Sequence, residues 1–284
     1  MNSFYKKISF VAVFFLLAGC GLFTKFDPQA PMIEKWKAVK KWIPNDSAYL
    51  VVADLNRFAS TELYKKISEG PVSKKSPIFS GFNASTDAGL AVFSDGLFYI
   101  GGRFDPQTTI KKIKDVIIPE GITLTESAYK GKVIYSDATV NNSFAFLEKY
   151  LICQGSPDKI KGLIDRYADK KIVPAEISTN KVLSGKLNNR MYIYGKITSL
   201  DFEADIARGL KLTARGALPS KEDAAALIDE IAGIRAIKTI QSIDEPWLAE
   251  VIDDINVSQD GSYINLKLEM SPELLVEILK RVIK

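Results

Sequence analysis

Residues 263–270 read Tyr263-Ile264-Asn265-Leu266-Lys267-Leu268-Glu269-Met270. Successive side chains of a strand point to opposite faces. Ile264, Leu266, Leu268 and Met270 therefore share one dry face, and Tyr263, Asn265, Lys267 and Glu269 share a wet one. A half-wet strand belongs to an antiparallel sheet, because parallel strands are buried on both faces. Two upstream stretches repeat the pattern. Leu210, Leu212 and Ala214 alternate with Lys211, Thr213 and Arg215; Met191, Ile193 and Ile197 alternate with Arg190, Tyr192, Tyr194 and Lys196. Asp260-Gly261, Asp95-Gly96 and Lys130-Gly131 stand between strand-like runs and mark hairpin turns. The dry face needs a cover, and helices near 220–241 and 272–283 would supply it. The fold class is α+β: two related halves of antiparallel sheet with helices packed on one face.

The two halves come from a weak internal repeat. Four times a strand or hairpin runs into a Pro-marked helix start: at Asp105-Pro106, Ser156-Pro157, Pro219-Ser220 and Ser271-Pro272. Asp or Ser accepts the free N–H groups of a first turn, and Pro is tolerated at the first helical position. The spacing from Pro106 to Pro157 nearly equals that from Ser220 to Pro272. The halves are placed at 45–168 and 188–284, with 169–187 as the connector. Tyr49–Leu55 reads as the first strand and Arg57–Ile67 as a helix. Ser68–Asp87 reads as a long loop pinned by Phe79 and Phe82. Before them, 20–44 holds a tether and an amphipathic helix, with Met32, Ile33, Trp36, Val39 and Ile43 on one stripe and Lys35, Lys37, Lys40 and Lys41 elsewhere.

Composition excludes whole classes of chemistry. The 284 residues carry 38 Lys+Arg against 34 Asp+Glu, and contain no His. Imidazole-dependent nucleophiles and His-ligated metal sites are therefore unavailable to this chain. With 2 Cys, a thiolate cluster cannot be assembled. A formal net charge of +4 makes no bulk electrostatic case for nucleic acid.

The N-terminus carries an address. Lys6 and Lys7 form a basic region, Ile8–Leu17 an apolar run too short to span a bilayer, and Leu17-Ala18-Gly19-Cys20 follows. This order resembles the signal peptide and lipobox of bacterial lipoproteins. The resemblance implies that 1–19 is removed, that the Cys20 thiol receives diacylglycerol, and that the new terminus is acylated, for instance by palmitate. Stable membrane attachment from the periplasm follows from two or more chains. Gly21, standing where Asp would favour inner-membrane retention, leans the expectation towards the outer membrane. With Cys20 consumed by lipid, Cys153 has no partner for an intramolecular disulfide. Its apolar setting in Tyr150-Leu151-Ile152-Cys153 reads as core.

The search for catalytic patterns yields none. Each Gly-Lys lacks the upstream Gly of a phosphate loop. Ser156-Pro157-Asp158-Lys159 fits a Ser-x-x-Lys spacing but lacks its companion motifs, and Ser156 reads as a helix cap. Asp201, Glu203 and Asp205, and Asp254, Asn256, Ser258 and Asp260, alternate as metal ligands can, without the loop that holds calcium. No catalytic residue, metal or cofactor is expected. The candidate binding face is the wet side of the second-half sheet, with Arg190, Tyr192, Tyr194, Arg215, Tyr263 and Lys267; exposed Tyr and Arg are enriched at recognition surfaces. The expectation is a lipid-anchored envelope protein with a non-catalytic binding or structural role. Its partners would be the membrane, through the lipid, and an envelope protein or glycan. The alternatives are a His-free carboxylate hydrolase acting on envelope glycans or peptides, and a carrier of an apolar ligand.

Overall fold

The computed structural model describes residues 27–62, 64–65, 88–117, 123–137, 141–193, 197–241, 246–275 and 277. Cys20 and the whole lipobox, the whole loop expected at 68–87, and Tyr194 lie outside the described residues. The strands are β1 (Tyr49–Asp54), β2 (Ala88–Ser94), β3 (Leu97–Gly102), β4 (Leu124–Tyr129), β5 (Lys132–Asp137), β6 (Asn142–Glu148) and β7 (Leu151–Gly155). They continue with β8 (Leu183–Ile193), β9 (Ile197–Asp205), β10 (Leu210–Ala217), β11 (Ile255–Asp260) and β12 (Tyr263–Met270). The helices are α1 (Met32–Val39), α2 (Leu55–Ala59), α3 (Pro106–Ile117), α4 (Pro157–Ala168), α5 (Lys221–Gln241) and α6 (Pro246–Asp254).

The 12 strands among the described residues belong to one sheet, in the order β11-β12-β10-β9-β8-β1-β2-β3-β7-β6-β5-β4. Every neighbouring pair is antiparallel. The strands of 45–168 form one contiguous run and those of 183–270 the other. They meet where Tyr49–Ala53 of β1 pairs with Leu183–Leu187 of β8. The connector is therefore shorter than expected, because β8 starts at Leu183 rather than after 187. Its extended part is tied down by Asn45 N–H donating to Val173 O and Ala175 N–H to Ile43 O, at 2.9 and 3.0 Å.

The turn and cap signals act as their chemistry dictates. Asp95-Gly96 and Lys130-Gly131 both adopt positive φ in two-residue turns joining β2 to β3 and β4 to β5. Gly261, at φ +61, turns β11 into β12. At the four expected helix starts, Asp105 Oδ2 accepts from Thr108 N, Ser156 Oγ from Lys159 N, Ser220 Oγ from Asp223 N and Ser271 Oγ from Leu274 N.

Helices do not keep to one face. In the first half, Leu50, Val52, Leu90, Val92, Tyr99 and Cys153 point to one side, where α1 and α4 cover them. Ala91, Ile100, Phe144 and Ile152 point to the other, alongside Leu55 of α2 and Ile110 of α3. The reason lies in the strands: β2 and β7 are apolar at both parities, and a strand dry on both sides needs two covers. In the second half the alternation leaves one dry face. There Ile197 and Ile264 pack with Ala224 and Leu227 of α5.

Helix α1 also departs from its expected stripe. Lys35 is buried and Ile33 is half exposed, at 2% and 49%. Lys35 Nζ lies 2.5 Å from Asp54 Oδ1 at the end of β1 and donates to Asn56 Oδ1 at 3.2 Å. Asp54 in turn caps α2 by accepting from Arg57 N. A buried carboxylate requires a cation, so the helix turns a lysine inwards.

Candidate functional site

The wet face of the second half is an open floor of five strands. Pairing aligns two rows across it: Lys186–Asp201–Arg215–Asn265–Ser258 and Ser184–Glu203–Thr213–Lys267–Asn256. The 176–178 segment walls one side, enclosing a groove of about 660 Å³. Glu176 on that wall is held by Lys40 Nζ at 2.6 Å.

Three of the residues expected on this face come together. The Arg215 guanidinium carbon sits 4.2 Å from the centroid of the Tyr263 ring, and its Nη2 lies 3.3 Å from Asp260 Oδ2. This cation–π and ionic contact fixes Arg215 beside the groove. Lys267 lines the groove and has no hydrogen bond or ion pair among the described residues. Arg190 and Tyr192 lie on β8 past Asn188, where the pairing with β9 shifts register before Ile193.

The groove also holds residues that alternation alone did not single out. Lys186, Asp201 and Glu203 line it, and none has a hydrogen bond or ion pair among the described residues. Ser184 is 2% exposed, and its Oγ has no partner. The signal for Ser184 and Lys186 was present in Leu183-Ser184-Gly185-Lys186-Leu187, which alternates like the rest. The first two carboxylates of the Asp201/Glu203/Asp205 series face the groove, whereas Asp205 lies 3.9 Å from Lys181 Nζ.

The opposite, dry face carries a different site. Between it and helices α5 and α6 lies a cavity of about 490 Å³. Leu187, Leu200, Phe202, Leu212, Ala214 and Leu266 form the sheet side; Leu227 and Ile231 of α5 and Ile252 of α6 form the roof. Glu230 and Arg235, both on α5, are the charged residues in its described lining. Gly216 belongs to the same wall. A Cβ there would come 3.1 Å from Ile264 Cγ1, tighter than ordinary contact, so Ile264 packs directly on the glycine.

The remaining buried reactive groups are closed off. Cys153 is fully buried, and burial pushes its thiol pKa up, which leaves the reactive thiolate unfavourable. Tyr99 is 1% exposed, its hydroxyl has no partner, and burial raises its pKa well above the ordinary value. No helix among the described residues is long and apolar enough to cross a membrane.

No family model matches this chain, and no curated protein matches its sequence. Among solved structures, crystal forms I and IV of a protein named TP0453 superpose with TM-scores of 0.48 and 0.47, each at 9% identity. They cover 87% and 86% of this chain and 99% and 98% of their own. A likeness this distant carries no argument about activity.

Proposed function

We propose that this chain is a lipid-anchored, non-catalytic envelope protein that holds a hydrocarbon chain between the dry face of its second half and helices α5 and α6. The observation that carries the reading is the cavity of about 490 Å³, whose described lining is apolar apart from Glu230 and Arg235. Its size lies within the range of ligand pockets, and its walls offer dispersion and water exclusion rather than hydrogen bonds. An acyl chain placing roughly ten methylenes there gains on the order of 8 kcal/mol of transfer free energy, before the costs of ordering. The lipobox supports attachment through Cys20, and Gly21 supports the outer membrane as its place. The shared plan of the two runs of strands, a three-strand meander whose third strand pairs with the last strand of a later hairpin, supports reading them as related units.

The test is displacement of a fluorescent fatty acid from the purified lipoprotein in detergent-free nanodiscs. Ala214→Trp places an indole in the cavity from the middle of β10. Saturable probe binding that this variant loses, with its circular dichroism unchanged, supports the reading. Equal binding by the two proteins, or none by either, refutes it.

A further inference from the structure

We propose that the polar groove on the wet face of the second half binds a short peptide with free, charged ends. This site is independent of the hydrocarbon cavity, which lies on the other face of the same strands. Lys186, Asp201, Glu203 and Lys267 all line the groove, and none has a hydrogen bond or ion pair among the described residues. They are sorted by strand, with a cation on β8, two carboxylates on β9 and a cation on β12. Opposite charges on neighbouring strands ordinarily pair, as Lys211 of β10 does with Glu269 of β12 at 3.1 Å. The groove instead leaves both signs unsatisfied. Ser184, in register with Glu203, adds a buried hydroxyl without a partner in the floor of the same groove. Such an orphan calls for a polar occupant.

The chemistry of that occupant follows from the arrangement. The β9 carboxylates attract an ammonium, and Lys267 attracts a carboxylate. Strands β9 and β12 are separated by β10, so the two positions stand about 9.6 Å apart at roughly 4.8 Å per strand. An extended peptide advances roughly 3.3 Å per residue, so about three residues bridge the span. The 660 Å³ groove accommodates a ligand of that size. A nucleic acid would meet Asp201, Glu203 and the wall residue Glu176. A neutral glycan would desolvate four charges and pair none of them. It would also find the Tyr263 ring already covered by Arg215.

The experiment is titration calorimetry of the full lipidated chain in detergent micelles with trialanine. N-acetyl-trialanine amide serves as the blocked probe and a neutral chitin trisaccharide as the competing class. Trialanine should bind, and the two other probes should not. Lys267→Gln and Glu203→Gln should each weaken trialanine binding about tenfold or more, since each removes a charged hydrogen-bond partner. Both sit on a solvated face, and unchanged thermal unfolding identifies them as folded. Absence of trialanine binding at about 10 mM, equal binding of the blocked peptide, preference for the trisaccharide, or full affinity in both variants would each overturn the proposal.

Discussion

Removing the carboxylate of Asp54 should cost this protein a large part of its stability, and removing Lys35 with it should restore most of the loss. The side chains of Lys35 and Asp54 are 1% and 2% exposed and 2.5 Å apart. Burial depresses the Lys35 pKa, and the hydrogen bond and charge of Asp54 pull it back up, so the pair is the condition for an ammonium to exist there. In Asp54→Leu the buried lysine loses its counter-charge and must either hold an uncompensated charge or give up its proton, and breaking such a pair costs about 3–5 kcal/mol. The same change removes the side-chain cap of α2, a further loss of about 1 kcal/mol. Against a typical total of about 5–15 kcal/mol this is a severe defect. Lys35→Met/Asp54→Leu removes both charges and fills the space with hydrocarbon, so it should lie within about 2 kcal/mol of the parent. Urea unfolding read by tryptophan fluorescence suits the question, because Trp36 and Trp42 sit in the same core cluster as the α1 contacts. The midpoint should fall sharply in the single variant and recover in the double, at constant denaturant slope. A single variant within about 1 kcal/mol of the parent, or a double variant no better than the single, would refute the uncompensated-charge argument.

Two further outcomes follow from the core. Tyr99→Phe removes a buried hydroxyl that has no partner, so stability at neutral pH should hold or rise by about 1 kcal/mol. Because burial raises the Tyr99 pKa in the folded state, the native phenol keeps its proton where the unfolded one loses it. Parent stability should therefore fall as pH rises past about 10, and thermal melts across that range should show a shallower fall in Tyr99→Phe. Cys153, fully buried with its pKa pushed up, should resist iodoacetamide in the native protein and react promptly in urea; equal native and denatured labelling by mass spectrometry would contradict its placement.

Local chemistry made the second half legible. The alternation of 263–270 and 210–215 identified the dry and wet faces, because burial there is one-sided and a single parity records it. The caps at Asp105, Ser156, Ser220 and Ser271 were legible because each acts within three residues. Features that depend on distant partners were not. The lysine at 35 looked solvated until Asp54 was placed beside it. The second cover of the first half was hidden because an apolar run such as Leu151-Ile152-Cys153 does not say how many faces are dry. Of the binding face, Arg215, Tyr263 and Lys267 were visible as single exposed residues. The alternation of 183–187 gives Lys186 and Ser184 a common face, but that they lie beside Asp201 and Glu203 follows only from the β8·β9 register.

The junction between β1 and β8 has a consequence for synthesis. β1 ends at Asp54, whereas its partner on that side begins at Leu183. Through the intervening stretch of translation, the outer edge of β1 presents unpaired N–H and C=O groups, with Leu50 and Val52 beside them. Such an edge is a template for any other extended chain. Closure also demands a long loop, which slows pairing relative to the local hairpins around it. The half that finishes first is therefore the one most exposed to misassembly, and a nascent chain halted before Leu183 is an aggregation hazard that the completed sheet abolishes.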